Sequence, residues 1–76
     1  MDVEPPDWWI RLKLKLFKSW PMEPRKKSKR LMQLGDEFHE LGSEEIAQLC
    51  YRWSWEIAEE ARAVHLRKQL ERRYQP

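Results

Sequence analysis

The 76 residues allow one small domain, and a lone cysteine, Cys50, allows no internal disulfide, so a disulfide-stapled secreted scaffold is excluded. Charged residues make up 37% of the chain against only two glycines, which disfavours a β-sandwich, and no apolar run approaches the roughly 20 residues of a spanning helix. The net charge of +2 hides a segregation: residues 8–30 carry nine basic side chains against Glu23, residues 31–60 eight acids against Arg52, and residues 61–76 five basic side chains against Glu71. Sorting of this kind bears on partners and association rates rather than on fold.

Met1–Pro6 reads as an extended lead, acidic and proline-bearing where a secretory leader would be basic and then apolar. With the unpaired cysteine this points to an intracellular protein. Residues 7–19 follow, with Asp7 where a helix N-cap would stand. Ile10, Leu12, Leu14 and Leu16 alternate with Arg11, Lys13 and Lys15, which is a strand pattern; Trp8, Trp9, Leu12, Leu16 and Trp20 fall at helical spacing. No second strand is available to pair with it, so a basic, Trp-rich amphipathic helix is predicted, ended by Pro21.

Pro24 can open a second helix over 24–41. Its apolar seam is Leu31, Leu34, Phe38 and Leu41. Gly42 suits the left-handed position after a helix, and Ser43 is expected to cap the next one. That third helix meets no breaker and is predicted over 43–74, with Glu44 and Glu45 in its first turn and a length of ~46 Å from Glu44 to Tyr74 at 1.5 Å per residue. Its seam is Ile46, Leu49/Cys50, Trp53, Ile57, Ala61 and Val64.

Two seamed helices joined by a short turn make an antiparallel hairpin. The expected register sets Leu41 near Ile46, Phe38 near Leu49/Cys50, Leu34 near Trp53, Leu31 near Ile57 and Lys27 near Glu60. Trp53 is read as core and Trp55 as an oligomer contact. Beyond Val64 the apolar stripe rotates to Leu66, Leu70 and Tyr74, which either the first helix or a second copy must cover. The fold class is therefore all-α: an antiparallel hairpin with an N-terminal amphipathic helix, self-associating as a dimer or higher.

The functional reading rests on cations. Arg25, Lys26, Lys27, Lys29 and Arg30 cluster at the start of a helix, where the dipole disfavours them by ~0.3–1 kcal/mol for a well-placed charge. Arg62, Arg67, Lys68, Arg72 and Arg73 are expected to converge on the same pole, so both clusters form a candidate phosphate-binding footprint. The competing reading neutralises the first cluster internally through Glu56, Glu59 and Glu60. Trp8, Trp9 and Trp20 could stack on bases, lie in a membrane interface, or anchor a partner or oligomer contact together with Trp55, Leu66, Leu70 and Tyr74. Lys13 falls inside the apolar arc of the first helix and weakens the membrane reading.

His39 and His65 stand alone, no metal-ligand spacing occurs, and no glycine loop cradles phosphate, so no metal, cofactor or catalytic site is expected. The sequence thus points away from an enzyme. It points to a small regulatory or accessory protein binding nucleic acid, RNA or DNA, through a basic, Trp-bearing pole. A protein-binding adaptor or inhibitor, docking through the Trp-rich helix or the acidic hairpin, is the alternative, and peripheral membrane association comes third.

Overall fold

The structure, a computed structural model, describes residues 7–74; the predicted lead at 1–6 lies outside the described residues. These residues form four helices, α1 (Asp7–Ser19), α2 (Pro24–Glu40), α3 (Glu44–Glu60) and α4 (Val64–Glu71). The all-α hairpin is present as α2 and α3, which pack closely along their length.

The seam between them differs from the expected one. Its α2 side is Ser28, Leu31, Met32 and Gly35, and its α3 side is Ile46, Ala47, Cys50, Tyr51, Ser54, Trp55 and Ala58. Small residues at three- and four-residue spacing let the backbones approach, and the larger side chains pack on either flank. Ser28 meets Ser54 through buried hydrogen bonds of 2.6–2.8 Å to each other's carbonyls, while nearer the turn Leu34 and Phe38 pack in one cluster with Cys50 and Trp53, the residues the expected register set beside them. Gly35 is required by close approach, since a Cβ there would lie 2.6 Å from Tyr51 Cδ1. Leu41 is exposed, Phe38 and Trp53 are half-buried, and Trp55 is a core residue.

The third helix does not run to residue 74. The turn after α2 and the break after α3 share one backbone pattern. Gly42, at φ +83°, sends its N–H to His39 O, and Ser43 sends its N–H to Phe38 O at 2.9 Å. Arg62, at φ +53°, sends its N–H to Glu59 O, and Ala63 sends its N–H to Ala58 O at 2.9 Å. Both are Schellman closures, satisfying carbonyls that a helix end would leave open. In the first, the Ser43 side chain makes no capping hydrogen bond.

The break explains the rotated stripe. α4 folds back along the hairpin and fills the space over Met32, Tyr51, Trp55 and Ala58 with Leu70, and with Leu66 and Tyr74 beside it. Leu70 is fully buried, and the Trp55 and Tyr74 rings meet at 6.3 Å. The stripe that called for a second copy is thus covered by the chain itself, and the argument it supplied for self-association falls away.

α1 closes a smaller second cluster, laying Leu14 with Ile10 against Ile46, Cys50, Leu34, Phe38 and Trp53. Lys27 Nζ donates to Lys18 O at 2.8 Å, so a cation from α2 satisfies a carbonyl in the last turn of α1. Lys18 lies 4.9 Å over the Trp53 ring and 3.6 Å from Glu56.

Candidate nucleic-acid interface

The fold separates the cations that the sequence grouped together. α4 runs back toward the Gly42 turn, so its two ends serve different neighbourhoods. At its start, Arg62 and His65 stand with Arg25 around a shallow depression of about 350 Å³, floored by Ala63, Val64 and Leu66. At its end, Arg72 and Arg73 border a recess with Asp36, His39, Glu44 and Tyr51. The expected convergence of all ten cations on one pole is not formed.

Several of those cations have internal work. Arg73 Nε donates to Asp36 Oδ1 at 2.8 Å, and the Tyr51 hydroxyl donates to the same oxygen at 2.6 Å. This cluster ties the end of α4 to both hairpin helices. Burial acts to raise the Asp36 pKa, but the hydrogen bonds from Tyr51 and Arg73 outweigh it and hold the carboxyl below its usual range. The Tyr51 phenol is pushed well above its ordinary value by burial and by its bond to Asp36. Arg67 lies 5.4 Å over the Trp55 ring with its Nε buried and without a hydrogen-bond partner. Arg30 is 3.9 Å from Glu37, and Lys27 is committed to α1.

What remains is divided between two places. Arg25, Lys26 and Lys29 are exposed on the first turns of α2, and Lys68 and Arg72 are exposed further along α4. Among the described residues, Arg25 and Lys29 make no ion pair, and Lys26 is only 4.0 Å from Glu23. Glu56, which could have neutralised the α2 cluster, pairs with Lys18 instead, and neither Glu59 nor Glu60 reaches it. Trp20 projects at the corner between α1 and α2, 63% exposed. An exposed aromatic a few residues before unpaired cations suits a phosphate backbone with an unstacked base.

Of the other interface candidates, Trp8 and Trp9 lie on the outside of α1, whereas Trp55 and Leu70 are buried and Leu66 and Tyr74 are half-buried against them. The sequence reading missed Asp36, Tyr51 and Ser54 as organising residues.

No protein-family model, curated protein or solved structure matches this chain. Among the described residues, no group of three His, Cys, Asp or Glu side chains is arranged to hold a metal ion, and no helix is long and apolar enough to cross a membrane. The Cys50 thiol is buried and its pKa is raised to about 11 by that burial, so it is a poor nucleophile at neutral pH.

Proposed function

We propose that the protein is a small non-enzymatic accessory protein that binds nucleic acid through the edge formed by Arg25, Lys26, Lys29 and Arg62, with Trp20 as its stacking face. One observation carries this reading. Arg25 and Lys29 sit exposed at the dipole-disfavoured end of α2 without an acid partner among the described residues, although the acidic end of α3 lies alongside. The helix dipole disfavours cations in that position, and an external anion would offset the cost. The internal-neutralisation reading needed pairs to Glu56, Glu59 and Glu60; among the described residues Glu56 pairs with Lys18, and neither of the others pairs with the α2 cluster. The lone, buried Cys50 accords with an intracellular setting.

The edge reads charge and shape rather than sequence. It carries no side-chain pair arranged for bidentate contact with a base edge, and a basic helical surface serves RNA and DNA alike. The test is binding of a labelled RNA hairpin and a DNA duplex as salt is varied. Three to four neutralised phosphates give a log–log slope of about −3 on duplex DNA. Arg25→Gln with Lys29→Gln should weaken binding and flatten that slope by about 2. Arg73→Gln should leave the slope alone, because its guanidinium is held by Asp36. Absence of binding at low salt, or an unchanged slope in the Arg25/Lys29 variant, would overturn the proposal.

A further inference from the structure

The alternation in α1 that resembles a strand has a different meaning in a helix. Residues two positions apart point about 200° apart, so alternating apolar residues make a helix apolar on two opposite sides. One side is Ile10 and Leu14, joined by Phe17, and it faces the bundle; Leu14 is buried there. The other side is Trp8, Leu12, Leu16 and Trp20, four positions apart each time, and it faces outward with exposures of 65%, 43%, 61% and 63%. Met22, beyond the helix, is exposed as well. Exposed large apolar side chains in a continuous stripe mark an interaction surface.

The two sides also reassign Lys13. Taken around the whole helix it interrupts one broad apolar arc. With the arc split in two, it stands on the margin between the faces, 5.3 Å over the Trp9 ring. Arg11 and Lys15 occupy the other margin, and residues 8–22 contain no acid. The outer face is thus an apolar stripe with aromatics at both ends and a cation on each edge.

We infer that the outer face of α1 docks in the plane of an anionic lipid surface, with the Trp8–Leu12–Leu16–Trp20 stripe in the acyl boundary and Lys13 and Lys15 reaching to the headgroups from its two edges. Charge complementarity selects this occupant. Long basic side chains on both edges can extend to a planar anionic surface at once, with their apolar stems lying along it. A second copy of this chain fits less well, because α1 already uses two α3 acids internally, Arg11 with Glu45 and Lys18 with Glu56. Nucleic acid fits less well too, since Leu12 and Leu16 at the centre of the stripe can neither stack on bases nor pair with phosphates. The nucleic-acid reading shares Trp20 with this face and otherwise uses different residues, those at the exposed start of α2.

The test is co-sedimentation of the full chain with vesicles, either of pure phosphatidylcholine or with roughly a third of the lipid as phosphatidylserine. Binding is expected to the second, with a blue shift of tryptophan emission. Leu12→Ser with Leu16→Ser should cut it by about tenfold or more, with helicity and melting unchanged because both side chains are exposed. Lys13→Gln with Lys15→Gln should cut it by about 25-fold, about fivefold per cation. Arg25→Gln with Lys29→Gln should affect vesicle binding far less than nucleic-acid binding. Three results would overturn the inference: no preference for anionic vesicles, binding indifferent to Leu12→Ser/Leu16→Ser, or a concentration-dependent dimer that this variant abolishes.

Discussion

Ser28 and Ser54 exchange hydrogen bonds across the hairpin seam: the Ser28 hydroxyl donates to Ser54 O at 2.8 Å, and the Ser54 hydroxyl donates to Ser28 O at 2.6 Å. Both residues are fully buried. The pair does two things at once, since it satisfies two polar groups in the core and keeps the helices close by its small size. Ser28→Ala should keep the second property and lose part of the first, costing about 0.5–1.5 kcal/mol. Ser28→Leu should lose both and cost about 3 kcal/mol, from overpacking and a buried Ser54 hydroxyl with a displaced partner. Urea midpoints at unchanged m-value measure the difference. Equal costs would mean that hydrogen bonding alone holds the seam.

Gly35 tests the close approach from the other end of the same seam. Alanine is favoured over glycine by about 1 kcal/mol in a helix interior, so propensity alone makes Gly35→Ala stabilising. The Tyr51 ring opposes it, because the new methyl would sit 2.6 Å from Cδ1 and the ring is anchored through its hydroxyl to Asp36. Overpacking of about 1–3 kcal/mol should win, giving net destabilisation. A higher thermal midpoint for Gly35→Ala would show that the tyrosine can swing away.

How much of this was legible in the sequence depended on residue size. The helical class, the Gly42 turn and the antiparallel hairpin follow from Pro24, Gly42 and the 3.6-residue periodicity, all of which are strong local signals. The seam was not legible, because scanning for large apolar residues favours Leu31–Leu34–Phe38–Leu41 and passes over Ser28, Gly35, Ala47 and Ser54. That error assigned Trp55, a core residue, to an oligomer contact, while Trp53 is half-buried against the cluster of Ile46 and Cys50. The break after Glu60 was hidden because Ala61-Arg62-Ala63 contains no glycine or proline. Its trace was the rotation of the apolar stripe to Leu66 and Leu70, which in one unbroken helix had no home. At the candidate site the cation clusters were visible, but the choice of ion-pair partners was not. That choice turns on a few ångströms at the ends of long side chains, as when Glu56 takes Lys18 rather than the α2 cluster.

Arg62 holds, after α3, the left-handed conformation that Gly42 adopts freely after α2, and it is the only non-glycine to do so among the described residues. An L-residue there costs about 1–2 kcal/mol of steric strain, partly offset by the lower chain entropy of arginine than glycine when unfolded. Arg62→Gly should therefore stabilise by about 0.5–1 kcal/mol, raising the melting midpoint by a few degrees. Arg62→Val should do the reverse, since a β-branched residue tolerates this region least. If Arg62→Gly also weakens nucleic-acid binding while it raises stability, the two effects separate strain from contact at one position.

The Asp36 cluster fixes how the protein responds to acid. Its carboxyl titrates below the ordinary aspartate range in the folded chain, because the hydrogen bonds from Tyr51 and Arg73 outweigh the opposing effect of burial. A depressed folded pKa means that the unfolded chain takes up the proton first. The associated stability is thus fully present above about pH 4 and is lost as pH falls through the folded value. Glu44 shares the direction, lowered first by its hydrogen bond to His39 and then by one from Gln48, so the two carboxyls act in the same window. Asp36→Asn should lower stability at neutral pH and leave a shallower decline below pH about 4, with the Glu44 contribution remaining. Arg73→Gln should produce the same flattening in part, because Tyr51 still donates to Asp36. Chemical denaturation at a series of pH values measures both slopes. If Asp36→Asn declines as steeply as the wild type, the clamp between α4 and the hairpin does not depend on this carboxylate, and the end of α4 is held by Leu70 and Tyr74 alone.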